Sequence, residues 1–150
     1  GVLPLLIADA KAVIAGPSGI RKAHLSKIFD GRLRLKLGEF IVKFIVNAKY
    51  TRLPYFHRKN VKIEKVDYPL ITIVAQKDQK RIALGISGLC EFPFRSLEVE
   101  DALNEECLSR EDRIKNAIWR LPSPIIKDLH GSTEYREFVL KNTLMDALQL

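Results

Sequence analysis

The spacing of apolar positions changes character about two-thirds of the way along the 150 residues. In the earlier part, short apolar runs alternate with turn-forming residues. Residues 11–15 are apolar after Lys11, Gly16-Pro17-Ser18-Gly19 is dense in turn formers, and residues 20–24 follow, which is the pattern of a β-hairpin. Residues 25–29 fit one helical turn ending at Asp30-Gly31. Residues 39–46 (Glu-Phe-Ile-Val-Lys-Phe-Ile-Val) are apolar enough for a buried strand and short for a helix. Residues 70–75 and 81–88 are apolar and rich in β-branched side chains on either side of the polar turn Lys77-Asp78-Gln79-Lys80. They predict an antiparallel pair that Pro93 closes.

From Ser96 onward the period lengthens. Leu97, Ala102 and Leu103 have helical spacing behind a Ser96 cap. Ser109 caps a second helix with Ile114, Ala117 and Ile118 on one face and Leu121-Pro122 as its stop. Ser132-Thr133-Glu134 opens a third, with Tyr135, Phe138, Val139, Leu144 and Leu148 as its apolar stripe. Strands followed by helices give an α+β chain, a small antiparallel sheet packed with C-terminal helices and preceded by a β-rich segment. There are no internal repeats.

Composition narrows this picture. With 47% hydrophobic and 29% charged residues the chain is of globular rather than disordered type. No apolar run approaches the roughly 20 residues of a membrane-spanning helix. The apolar start, residues 1–7, has neither the basic flank nor the cleavage site of a secretory signal, and reads as a buried segment whose earlier neighbours are missing. Cys90 and Cys107, expected at a strand end and in a helix, form no CxxC pair and are expected to be reduced, in keeping with a soluble cytoplasmic protein.

The net charge of +7 is regional. Thirteen of the 25 Lys and Arg lie in residues 1–62 with only Asp9, Asp30 and Glu39 against them, so that segment carries +10. The remaining 88 residues hold twelve basic and fifteen acidic side chains, or −3. A basic half beside a mildly acidic one points to an anionic partner, cofactor or neighbouring subunit, or to solvated basic surface.

Local chemistry excludes more than it selects. His24, His57 and His130 are far apart and none has metal-ligand spacing. There is no GxSxG elbow, Walker loop or GxGxxG. Gly16-Pro17-Ser18-Gly19 is a hairpin turn rather than a phosphate loop, because Pro17 lacks an N–H and no helix follows at once. Glu105-Glu106 and Glu111-Asp112 fit polar helix faces. Tyr50, Arg52, Tyr55, Phe56, His57, Arg58, Lys59 and Lys62 interleave aromatics with cations, as stacking platforms for single-stranded nucleic acid do. A basic RNA-binding or protein-interaction module is therefore the alternative reading. A strand with aromatics inward and cations outward has the same look, and no RNP, KH or zinc-finger pattern accompanies the stretch.

Several motifs fall in a particular order. In the first part they are Pro4-Leu5-Leu6, Gly16-Pro17-Ser18-Gly19-Ile20-Arg21, Ile28-Phe29-Asp30-Gly31 and Leu37-Gly38-Glu39-Phe40-Ile41. In the second they are Tyr55-Phe56-His57-Arg58-Lys59, Asp67-Tyr68-Pro69-Leu70, Gly85-Ile86-Ser87-Gly88, Pro93-Phe94-Arg95 and Gly131-Ser132-Thr133-Glu134-Tyr135-Arg136. In this order and spacing the chain resembles the FAD-binding subunit of the molybdenum hydroxylases, the xanthine dehydrogenase and carbon monoxide dehydrogenase group. The resemblance implies a remnant of the FAD-binding domain over residues 1–49 and the C-terminal domain of the carbon monoxide dehydrogenase flavoprotein type over residues 50–150.

The same resemblance implies an oxidoreductase subunit that passes electrons from iron–sulfur clusters through FAD to NAD or another acceptor. Molybdopterin and the clusters would be carried by partner subunits, with no membrane and no nucleic acid involved. It places Ile41 near the isoalloxazine with Phe40 beside it, and Lys59 at the flavin or its phosphates, with Arg58 and Lys62 left open by a one-residue ambiguity. Asp67 and Tyr68 match the loop that flanks the flavin where a nicotinamide approaches. Tyr135-Arg136 is given a structural role only, with Tyr135 packing inward. The family's glycine-rich loops for the FAD pyrophosphate have no counterpart in these residues, so this chain by itself is expected to hold no FAD and to be inactive. No catalytic or metal-binding residue is expected in it.

Overall fold

The computed structural model describes residues 1–61 and 69–150. The expected hairpin is β1 (Lys11–Gly16) and β2 (Gly19–His24), paired from Lys11↔His24 to Gly16↔Gly19 so that Pro17-Ser18 make the turn. A preceding helix α1 (Val2–Ile7) and a one-turn helix α2 (Leu25–Ile28) flank it. A two-residue ladder, β3 (Phe29–Asp30) with β4 (Arg32–Leu33), leads to β5 (Phe40–Ile45), which pairs with the other side of β1. Sheet order is β2-β1-β5, and Ala12 and Ile14 of its inner face are fully buried against Leu6, Leu25 and Ile28.

The strand expected within residues 39–46 forms, but it is not buried. Among the described residues it lies at a sheet edge with β1 as its one neighbour, and Phe40, Val42, Phe44 and Ile45 are 61%, 54%, 40% and 40% exposed. Only Ile41 turns into the small core. The apolar start is buried as expected: α1 lies on the second sheet, with Leu3 and Ile7 against Val74.

That second sheet is β6 (Tyr55–Val61), β7 (Pro69–Asp78) and β8 (Arg81–Ser87), antiparallel and in that order. The expected β7–β8 hairpin gains β6 from the stretch where aromatics and cations interleave. One face, with Ile71, Ile73, Ala75, Leu84 and Ile86, makes the main core with α3 (Leu97–Leu103), α4 (Arg110–Trp119) and α5 (Thr133–Ala147). Ser96, Ser109 and Ser132 cap these helices by accepting from the backbone N–H of Val99, Asp112 and Tyr135. On the opposite face Gly85 lets α1 approach, since a Cβ there would stand 3.3 Å from side-chain carbons of Ile7 and Leu3.

The inward face of α5 differs from its expected stripe. Arg136, Leu140, Thr143, Leu144 and Ala147 are buried, whereas Tyr135 and Phe138 are 44% and 62% exposed. Arg136 holds the inner position because both terminal guanidinium nitrogens are paired, while its buried Nε has no partner among the described residues. Nη2 donates to both Asp128 carboxylate oxygens at 2.7 Å, and Nη1 donates to Leu70 O at 2.6 Å and to Gly88 O. This ties α5 to both ends of the β7–β8 hairpin. Gly88 is obligatory there, with φ +79° and a would-be Cβ 2.4 Å from Leu70 O.

Cys90 is buried just after β8, and Cys107 is exposed in the turn between α3 and α4 rather than inside a helix, because α3 ends at Leu103. Glu105-Glu106 share that turn. Among the described residues no helix is long and apolar enough to cross a membrane.

Candidate functional site

Strand pairing decides which side chains share the face of the second sheet that α1 only partly covers. Tyr55 pairs with Gln76, His57 with Val74 and Lys59 with Thr72, so Tyr55, His57 and Lys59 stand in a row along β6 on that face. Phe56, Arg58 and Asn60 point the other way. Phe56 packs on the main core, Arg58 pairs with Asp146 of α5, and Asn60 Nδ2 donates to Thr143 Oγ1 at 3.0 Å. Of the two neighbours left open in the sequence, Arg58 pairs with Asp146 of α5 and Lys59 is exposed on the other face.

Beside this row lies a cavity of about 470 Å³, within the range of small-molecule sites. Its floor is Tyr55, His57, Val74 and Gln76; α1 supplies Leu5 and Ile7, and its C-cap Ala8; the segment after β5 supplies Val46, Tyr50 and Thr51. A 3₁₀ helix (Ala48–Arg52) sets Tyr50 in place, capped by Asn47, whose Oδ1 accepts from Lys49 N at 3.0 Å. Gln76 Nε2 donates to Tyr50 O at 2.5 Å, and Lys49 Nζ lies 4.7 Å from the Tyr50 ring centroid.

The walls are locked together by a chain of polar contacts. Tyr50 Oη donates to Asp9 Oδ2 at 2.9 Å, and Arg95 Nη1 donates to Asp9 Oδ1 at 2.7 Å and to Leu6 O at 2.9 Å. Arg95 Nε then meets Glu100 Oε1 at 2.7 Å, and the same oxygen accepts from Leu84 N at 2.9 Å. Glu100 is wholly buried, so its charge depends on Arg95. Arg95 also supplies a cation to the C-terminal carbonyls of α1, where the helix dipole favours one. Burial, and then the hydrogen bond to Asp9, push the Tyr50 phenol above its ordinary value, so it is a neutral donor at neutral pH.

The other residues singled out in the sequence lie elsewhere. Phe40 pairs with Ala15 at the far end of β5 from Val46, on the order of 20 Å along an extended strand. Ile41 packs against the small core of the first sheet. Neither borders the cavity beside Lys59. Asp67, Tyr68 and Lys62 are outside the described residues. Tyr55 and His57, singled out in the sequence within the aromatic–cation stretch but given no flavin role, emerge as cavity residues. Their signal in the sequence was the period-two spacing with Lys59, which becomes readable once β6 is known to be a strand. Among the described residues, no group of three or more His, Cys, Asp and Glu is placed to hold a metal ion.

No family model and no curated protein matches the sequence. Solved structures do match. A chain of a carbon monoxide dehydrogenase from Hydrogenophaga pseudoflava, which lacks the Mo-pyranopterin moiety of the molybdenum cofactor, superposes with a TM-score of 0.80 at 19% identity, over 98% of this chain and 54% of that one. A chain of reconstituted CO dehydrogenase from Oligotropha carboxidovorans gives 0.76 at 19% identity, over 97% and 54%. One of quinoline 2-oxidoreductase from Pseudomonas putida 86 gives 0.71 at 20%, over 97% and 55%. The chain spans about half the length of those chains, and over that span it has the same α+β fold as these parts of carbon monoxide dehydrogenase and quinoline 2-oxidoreductase.

Proposed function

We propose that this chain is part of the FAD-binding subunit of a molybdopterin-dependent dehydrogenase of the xanthine dehydrogenase type. In that role it passes electrons from iron–sulfur clusters through FAD to NAD or another acceptor, with molybdopterin and the clusters on partner subunits. The observation that carries the reading is the fold shared over nearly the whole chain with molybdenum-enzyme chains, combined with an apolar cavity lined by Tyr50, Tyr55 and His57, with Lys59 next in the same strand row.

The residues present fit the ring end of a flavin. Leu5, Ile7, Ala8, Val46 and Val74 offer flat apolar surface that excludes water, and Tyr50 and Tyr55 offer ring faces. Gln76, held by Tyr50 O, and His57 supply the few polar atoms that orient a heteroaromatic ring. Lys59, farther along the same face, places a positive charge where an anionic edge is favoured. A bound flavin supplies the exchange between one-electron and two-electron carriers. The described residues offer no comparable cradle for its pyrophosphate, so affinity for the whole dinucleotide comes mainly from polypeptide beyond this chain.

The reading is tested with lumiflavin, which has the ring system alone. Lumiflavin fluorescence is quenched on binding beside Tyr50 and Tyr55, FAD binds this chain no more tightly than lumiflavin, and Thr51→Trp, which fills the cavity from its mouth, abolishes both. Unquenched lumiflavin at millimolar protein contradicts the reading. A second reading, single-stranded RNA binding, is favoured by Tyr55, which is 73% exposed between flanking cations. It predicts salt-dependent binding to uridine oligonucleotides that Tyr55→Ala weakens and Thr51→Trp leaves intact.

A further inference from the structure

The flavin reading uses one of the thirteen basic residues in the +10 segment, and the first sheet shows where another group of them gathers. The face of the β2-β1-β5 sheet turned away from Leu6, Leu25 and Ile28 carries three cross-strand rows, set by the register of β1 with its two neighbours. At the hairpin end the row is Ile20–Ala15–Phe40, with Ile20 75% and Phe40 61% exposed. Next comes Lys22–Val13–Lys43, and then His24–Lys11–Ile45.

Lys11, Lys22 and Lys43 are all exposed, and no ion pair among the described residues involves any of them. Lys22 and Lys43 stand two strands apart, about 10 Å across the sheet. Lys43 reaches this face because of a bulge. Ile14 pairs with Ile41 but Val13 pairs with Lys43, which leaves Val42 as an extra residue. Without it the register would bring Val42 to Val13 and turn Lys43 into the small core, since a one-residue slip exchanges the two faces of a strand. The fold thus collects like charges on one face and, among the described residues, pairs none of the three with a carboxylate, beside an exposed apolar pair.

We propose that this face is a docking surface for an acidic polypeptide, whose carboxylates meet Lys11, Lys22 and Lys43 while its apolar side chains cover Ile20 and Phe40. Charge complementarity names the sign of the partner. The apolar row names its class, because Ile20 and Phe40 leave water only against other apolar groups, and neither cationic row contains a Phe, Tyr or Trp on which bases could stack. Polypeptide to fill the role exists in proteins of this fold, whose solved chains run to nearly twice this length. The surface is distinct from the cavity and does not depend on what the cavity binds.

The probe is a synthetic peptide of glutamates ending in leucines, titrated into the chain and followed by amide chemical shifts, with a uridine oligonucleotide of equal charge as the comparison. The expected result is binding that shifts the amides of Lys11, Ile20, Lys22 and Lys43. Lys22→Glu with Lys43→Glu weakens it roughly tenfold or more, and Ile20→Ser weakens it several-fold. Lumiflavin quenching in the cavity is unchanged by these variants. Should the double reversal disturb the sheet, Lys22→Gln with Lys43→Gln keeps the test, with a loss of about threefold or more. Tighter binding of the oligonucleotide, shifts confined to β6, or an affinity indifferent to these lysines would each overturn the proposal.

Discussion

The two three-stranded sheets are written in the same sequence pattern and end in opposite conditions. β6-β7-β8 is covered on one face by α3, α4 and α5 and partly on the other by α1, and its core residues Ile71, Ile73 and Ala75 are fully buried. β2-β1-β5 has an inner face that contributes Ala12 and Ile14 to a cluster of five buried residues, and its outer face presents lysines and exposed apolar side chains. The difference teaches that apolar content makes a strand but does not decide whether its second face is covered. That depends on elements elsewhere in the chain, and here the one that bridges the two sheets is α1, six residues long.

The comparison is broken most severely in the main core. Ile73→Ala leaves a cavity under three helices and costs about 4 kcal/mol, whereas Ile14→Ala in the small cluster costs about 2, because its thinner surroundings relax into the space. Urea denaturation of both variants checks the ranking, and equal losses would contradict it.

Removing the link between the sheets comes next. Arg95→Met strands the buried Glu100 and frees Asp9 and the end of α1, at roughly 2–4 kcal/mol. Hydrogen exchange of residues 2–10 should accelerate more than that of β7, and the cavity should lose lumiflavin.

A smaller effect is confined to the first sheet and to acid. The Arg21 guanidinium, and then the Lys36 backbone N–H, hold Glu39 down from about 4.5 to about 2. The unfolded chain therefore takes up this proton first. The stabilisation is complete above about pH 4.5 and is lost as pH falls toward 2. Glu39→Gln flattens that part of the stability–pH curve and leaves the neutral region without its Arg21 contact. An unchanged acid limb would refute the assignment. Least of all, Val42→Thr on the exposed edge changes stability by under about 0.5 kcal/mol.

Much of this was legible in the sequence because it is local. The Gly16–Gly19 turn, the β7–β8 hairpin and the three serine caps each depend on residues within a few positions of one another. The missed features are long-range. Arg136 looked like the polar side of a helix until Asp128, Leu70 O and Gly88 O came together around it. The edge position of β5 follows from topology rather than from its own six residues. Lys59, proposed through resemblance, is exposed on the same face of β6 as Tyr55 and His57, and Phe40 and Ile41 lie on the first sheet at the end of β5 away from Val46. The cavity itself draws on Leu5, Tyr50, His57 and Val74, four segments that no local pattern connects.

The central claim is that this chain supplies the ring end of a flavin site completed by further polypeptide. It is tested most directly by co-expressing the chain with the coding sequence that adjoins it upstream and recording the visible spectrum of the purified complex. The account predicts a yellow complex with flavin absorption, weakened by Lys59→Ala and abolished by Thr51→Trp. A well-folded, colourless complex that stays colourless after incubation with FAD would contradict it.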